Sequence, residues 1–368
     1  MRFTLDRGDL ADVLTWAAQV VPKRPTSPAL SGLRLVVSPD ALEVTATDYD
    51  TTHRASVPLI GAEPGEALIP AFLLRDLVSA LKGEVTLTLK DERALTLEAG
   101  RSRYELNTLA LGEYPTPAQI DRRKKALIGT LPAEVLAGAV GAVSYLVEDE
   151  GSDVVKGLHL ESDETEADPP GPGLILVGAE SAACSIHCAP LTSAGSVEAD
   201  LQVPGSVFAR AVRGMSGEVR LYSQAGLVEV ADASRSVTMR TFSTKFMPWR
   251  RLLRAEHDVT AEVHAGDLYS AARRASIAAE EGTALRLTLS AEGLEIEAGA
   301  DGVSQGLEGV DADADGADVF ALSPGYLLPA LASLGEAQAQ LGLSRDVKTP
   351  VIIEAGASTH VLARRRLS

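Results

Sequence analysis

Apolar residues along this chain change their period in a fixed order. RFTL, Arg2 to Leu5, alternates as a strand does. LADVLTWAAQVV, from Leu10, then spaces its apolar positions three and four apart as a helix does, with Asp9 placed to cap it. KRPTSP, Lys23 to Pro28, breaks the helix. LRLVV from Leu33, LEVTA from Leu42 and HRASVPL from His53 return to period two. The order then repeats. ALIP at Ala67 to Pro70 reads as a strand, FLLRDLVSALKG as a helix, and VTLTL, ALTLEAG and RYELNTL as three strands. Two β-α-β-β-β units of about 60 residues each are expected.

This pair of units is itself repeated. LVSALKGEVTLTL, FARAVRGMSGEVRLY and LLPALASLGEAQAQLGL each run from helix to strand through Gly-Glu, at Gly83-Glu84, Gly217-Glu218 and Gly335-Glu336. These points lie 134 and 118 residues apart, well beyond a solenoid period of roughly 20 to 50 residues and close to the size of a domain. Helices at Glu134–Val147 and Asp267–Ala279 open the second and third copies, and Asp9, Glu134 and Asp267 share a position at the helix start, where a negative charge favours the helix dipole. The copies end alike in GRSRYELNTL, ASRSVTMRTF and ASTHVLARRRL. The expected domains are 1–122, 123–255 and 256–368. SDETEADPPGPG, Ser162 to Gly173, reads as an exposed hairpin loop.

Composition narrows the class. Apolar residues make up 45% of 368, enough for globular cores, and aromatic residues only 4%. No apolar run approaches the roughly 18 residues of a membrane helix, the N-terminus has no signal-peptide pattern, and two cysteines form no disulfide framework; a soluble, cytoplasmic protein is expected. The net charge, 34 − 51 = −17, argues against nucleic-acid binding unless a basic lining coexists with an acidic exterior.

MRFTLDRGDL, KRPTSPALSGLRL, LEVTATDYD, GRSRYELNTLALGEYP and the FMPWRRLL segment resemble the β sliding clamp of bacterial DNA polymerase III. The resemblance runs over all three repeats and is weakest in the second and third. It implies an α+β chain of three clamp domains, each two β-α-β-β-β units, joined head to tail and closed into a ring by a homodimer. It further implies a non-enzymatic processivity factor without cofactor or metal. Such a ring encircles duplex DNA with its helices inward and reads no sequence, as backbone contacts carry little sequence information. The implied partners are the replicative polymerase, a clamp loader and repair polymerases, which dock by short hydrophobic peptides between the central and C-terminal domains.

The resemblance also assigns residues. Arg24, in the Arg-Pro-Thr break, stands where the family contacts DNA, and Arg75, Lys82, Arg210, Arg213, Arg273 and Arg274 are helix cations that could line the hole. Each alone is as readily a solvated charge. Glu148, Asp149 and Glu150 would repel phosphate. The peptide pocket falls on Val155, Leu176, Gly178, Ala179, Pro248, Arg251, Leu252, Val361, Ala363, Arg365 and Leu367. The family's C-terminal methionines are arginines here, which implies a more cationic pocket favouring acidic flanks. Tyr104, Leu106 and Ile277 stand at dimer-interface positions, or else in ordinary core.

Other chemistries fare poorly. DADADG at Asp311 to Gly316 opens like a calcium loop, but Leu322 occupies the twelfth position, so an acidic loop is expected. Cys184, His187 and Cys188 are too few for a structural zinc site. GPGLILVG lacks the Lys-Ser/Thr of a phosphate loop. A hydrolase using the acidic residues Asp311 and Asp313, and an oligomeric scaffold that ignores DNA, remain the rival classes.

Overall fold

The computed structural model describes residues 1–91, 93–122, 126–148, 151–164, 170–278, 282–298 and 306–366. Its helices there are α1 (Arg7–Ala18), α2 (Ala71–Ala80), α3 (Ala133–Val143), the single turn α4 (Asp153–Lys156), α5 (Gly205–Arg213), α6 (Ala265–Ala278) and α7 (Pro324–Leu334). Each repeat follows the β-α-β-β-β order twice. Asp6, not Asp9, caps α1: its carboxylate accepts from Gly8 N at 2.7 Å, and Asp9 sits in the first turn, as Glu134 and Asp267 do in theirs. The helix expected to reach Val147 ends at Val143 and passes into a 3-10 turn at Ser144–Leu146.

The three Gly-Glu points share one backbone state. Gly83, Gly217 and Gly335 have φ of 72°, 64° and 60°, and a Cβ on any of them would meet nothing within 4 Å. Their shared identity is therefore conformational, since glycine adopts positive φ without steric cost where a helix must turn into a strand. The turn also places an acceptor at the neighbouring helix: Gly83 O and Gly217 O accept from Arg7 N (3.0 Å) and Ala133 N (2.8 Å), the first residues of α1 and α3.

Within each repeat the halves exchange their leading strands. Arg2–Asp6 pairs with Glu84–Asp91 of the second half, while Gly65–Pro70 pairs with Gly32–Val37 of the first. The same exchange recurs for Leu127–Pro132 with Glu218–Gln224 and Asp200–Pro204 with Gly157–Glu164. It recurs again for Val259–His264 with Gln338–Leu343 and Asp318–Leu322 with Leu285–Ser290. Neither half of a repeat completes a sheet from its own residues.

The chain divides into two compact units, residues 1–133, 193–197 and 211–241, and residues 134–192, 198–210 and 242–368. Each contains one four-stranded and one nine-stranded sheet. The nine-stranded sheets run across repeats. In the first unit, Arg235–Arg240 of the middle repeat pairs with Thr51–Pro58 of the first, with Val237 opposite His53. In the second, Ala183–Pro190 pairs with Ser358–Leu362, with Ser185 opposite His360. Helices cover one face of each sheet. Leu10 and Leu14 of α1 and Leu74 of α2 are fully buried, as are the strand residues Leu33, Leu35 and Val44. In the second unit Leu268, Ala271 and Ala272 of α6 and Leu327 and Leu331 of α7 pack with Leu285, Leu287 and Ile296. Residues 312–315, expected in an acidic loop, form an edge strand on Val259–His264 that spreads Asp313 and Asp315 along extended backbone.

Candidate functional site

The strand Pro172–Glu180 is buried on both faces. Leu174, Leu176 and Gly178 lie on one face, where a Cβ on Gly178 would meet Val143 O at 2.3 Å. Ile175, Val177 and Ala179 lie on the other. They form an apolar cluster with Cys184, Ile186, Ile352 and Val361, covered by Phe246 and Trp249 and flanked by Val154, Met247 and Leu252. Segment 242–254, which follows the middle repeat, therefore lies across the outer face of the second unit's large sheet.

The segment is held down by aromatic and charged contacts. Phe246 stacks on His159 at 4.9 Å and 3°. Trp249 Nε1 donates to Glu161 at 3.3 Å. The Arg250 guanidinium donates to both Glu161 oxygens at 2.6 Å and to Asp163 at 2.7 Å, and sits 4.2 Å over the Trp249 ring. Toward the sheet edge Asp200–Pro204, the segment borders a cleft of about 540 Å³ lined by His159, Gln202, Phe242, Lys245, Arg251 and Arg254, with Pro248 on its rim.

The expected pocket residues distribute over this surface. Ala179 and Val361 are in the apolar cluster, with Leu252 packed on it. Pro248 and Arg251 border the cleft and are exposed. Val155 is half-buried beside Gly151, while its neighbour Val154 reaches the cluster. Leu176 and Gly178 face the opposite side of the strand. Ala363 and Arg365 are exposed, and Leu367 lies outside the described residues. The three arginines have separate fates. The Arg364 side chain is buried, donates to Asp318 at 2.9 Å and Ser344 O at 2.8 Å, and serves the fold. Arg365 and Arg366 remain at the surface.

Glu180 tempers the cationic character expected here. Burial raises its pKa, but hydrogen bonds from Ser181 and Tyr326 and from backbone N–H groups outweigh that and lower it to about 2. Tyr326, whose hydroxyl donates to that carboxylate, is pushed up to about 12, first by this bond and then by burial. Ile175, Val177 and Ile186 were not marked by the sequence pattern, because a strand apolar on both faces shows no alternation; Phe246 and Trp249 belong to the FMPWRRLL segment, outside any strand.

The DNA-facing candidates lie on helices of both units and, for Arg24 and Lys82, in loops beyond the helix ends. Arg24 is exposed in the loop after α1 and Lys82 after α2. Arg75 pairs with Asp76 at 2.7 Å and lies 5.0 Å over the Phe72 ring. Arg210 and Arg213 are exposed on α5, and Arg273 on α6. Arg274 donates twice to Glu308, at 3.0 and 2.7 Å. Glu148 is exposed and its N–H donates to Val155 O, while Asp149 and Glu150 lie outside the described residues. Of the interface candidates, Tyr104 is 39% exposed on the edge strand Ser102–Asn107 and Leu106 is buried there. Ile277 on α6 is 76% exposed, and Leu307 on the edge strand Gly306–Val310, which the sequence pattern did not single out, is 65% exposed.

Among the described residues no helix is long and apolar enough to cross a membrane. The beta sliding clamp of Streptomyces coelicolor is 27% identical over 96% of this chain and 93% of that protein. A crystal structure of the sliding clamp of Pseudomonas aeruginosa bound to griselimycin matches with a TM-score of 0.88 at 25% identity, covering 100% of both chains. The Bacillus subtilis clamp shares the fold at a TM-score of 0.91 and 19% identity, again over 100% of both chains. Residues 1–118 match the N-terminal domain model of the DNA polymerase III beta subunit and residues 250–363 its C-terminal domain model. With the triplicated β-α-β-β-β order and its strand-paired seams, the chain belongs to the DNA polymerase III beta subunit family, the beta sliding clamps that act as processivity factors in DNA replication.

Proposed function

We propose that two copies of this chain close head to tail into a ring around duplex DNA, and that the strand-pairing rule of its sheets carries this reading. At both seams inside the chain, the last strand of a first half-repeat pairs with the last strand of a second half-repeat: Thr51–Pro58 with Arg235–Arg240, and Ala183–Pro190 with Ser358–Leu362. Two strands of these kinds end their sheets without a further partner among the described residues, Gly306–Val310 and Ser102–Asn107. A second copy completes the rule twice, and closed head-to-tail contacts make rings rather than filaments. Exposed Leu307 and Ile277 on one edge, and Tyr104 on the other, supply apolar area for that contact.

The reading divides the chain into clamp domains at 1–122, 123–255 and 256–368. It faces Arg24, Arg75, Lys82, Arg210, Arg213 and Arg273 toward phosphates, with Arg274 shared with Glu308. Contact with DNA is through a few screened cations, so retention comes mainly from topology. The protein acts in the cytoplasm without catalysis. Polymerases and a clamp loader dock by short hydrophobic peptides on the surface organised by segment 242–254, and the griselimycin complex of the Pseudomonas aeruginosa clamp supports a docking pocket in the family.

Loading onto nicked circular DNA with ATP and a clamp loader tests this. The protein should stay on circles and leave linearised DNA. The double variant Leu307→Asp/Ile277→Asp should halve the mass seen by light scattering and lose retention. Equal loss from circles and linear DNA, or an unchanged mass, would refute the ring.

A further inference from the structure

Charges on the cleft beside segment 242–254 are unevenly satisfied. Of its acids, Glu161 accepts from Arg250 and Trp249, while Asp200 is exposed with His159 Nε2 3.7 Å away. Among the described residues, the cations Lys245, Arg251 and Arg254 line the cleft without an ion-pair partner, and all three are exposed. A fourth cation of the cleft, Arg250, is matched by Glu161 and Asp163, as Arg364 elsewhere in this unit is by Asp318. Three unmatched cations around one concavity, in a chain of net charge −17, form a local positive site. Phe242 and half-buried Met247 add apolar surface to the same walls.

We propose that this cleft receives acidic side chains flanking the apolar anchor of a docking peptide. The inference rests on the docking reading above and names the partner's chemistry: an apolar pair next to Asp or Glu, with the anchor on the Val154, Leu252 and Val361 side of the segment and the acids on the Lys245, Arg251 and Arg254 side. The two flanks share segment 242–254, so one short peptide crossing it can reach both. Ion pairs at a partly open site add modest affinity and weaken with salt.

Fluorescence anisotropy on the full chain separates the outcomes. One labelled decapeptide of Leu, Phe, Ser and Gly carries two Asp beside its apolar pair, and a second carries Asn at those positions. At low salt the Asp peptide should bind about fivefold tighter, roughly the effect of 1 kcal/mol. The ratio should fall below twofold in Lys245→Ala/Arg254→Ala and at 0.5 M salt, and persist in Lys245→Arg/Arg254→Lys. Equal binding of the two peptides to the wild type, or a ratio unchanged in the alanine variant, overturns the inference and leaves the docking reading standing. Failure of both peptides to bind overturns both.

Discussion

The two nine-stranded sheets use one design and finish it differently. After each of the first two repeats, a connecting segment crosses the outer face of a sheet and is pinned by an arginine that pairs with a carboxylate and covers an aromatic ring. In the first unit Arg122 pairs with Glu229 at 2.6 Å and lies 5.3 Å over Tyr222. In the second Arg250 pairs with Glu161 and lies over Trp249. The first is closed: the Glu229 side chain is 2% exposed, also accepts from Thr238, and sits beside a small cluster of Ile120, Ala126, Tyr222 and Ala231. The second is open: the Glu161 side chain is 24% exposed and the segment borders a cleft. A shared pinning device is thus sealed into the fold at one place and left beside an open cleft at the other.

Each seam buries a histidine, His53 in the first unit and His360 in the second, and the largest expected effect is the response of His360 to pH. His360 is fully buried, its ring bonded to Ser185 at 2.8 Å and Ser333 at 3.0 Å, and burial lowers its pKa to about 4. The folded seam refuses a proton that the unfolded chain accepts. Stability is therefore fully present above pH ~6.5 and falls as pH drops from there toward 4, by up to about 3 kcal/mol at about 1.4 kcal/mol per unit. Protection of the Ala183–Pro190 amides relative to their intrinsic exchange rate at each pH should fall across that window, and a His360→Gln variant should flatten the response. An unchanged response would remove His360 as the cause.

Breaking the pins should separate the units next. Arg122→Ala leaves Glu229 buried with Thr238 as its one remaining donor among the described residues and should destabilise the first unit by about 2 kcal/mol, read as faster exchange on Leu227–Ala231. Arg250→Ala leaves a carboxylate that water can reach and should cost about 0.5–1 kcal/mol. It frees segment 242–254, so its larger effect should appear in peptide affinity. Equal stability losses in the two variants would erase the proposed distinction between a closed and an open pin.

The triplication and the half-repeat order were legible because period and Gly-Glu spacing are local signals. The exchange of leading strands was not, since nothing in the order β-α-β-β-β states which half a strand joins. The face proposed for docking was partly legible. Leu252 and Val361 carry apolar signals, but in Pro172–Glu180 both faces are apolar, and the pattern could not separate Leu176 from Val177. Arg364, Arg365 and Arg366 read alike in sequence, and only packing distinguishes the buried one.

The cross-repeat seam has a consequence for synthesis. Thr51–Pro58 emerges about 180 residues before Arg235–Arg240, its partner. At roughly 5–20 residues per second, a nascent chain carries an uncovered sheet edge for about 10 to 40 seconds. On a crowded polysome, where the same edge is displayed by successive ribosomes, that interval is when one growing chain can be mistaken for the other half of its neighbour.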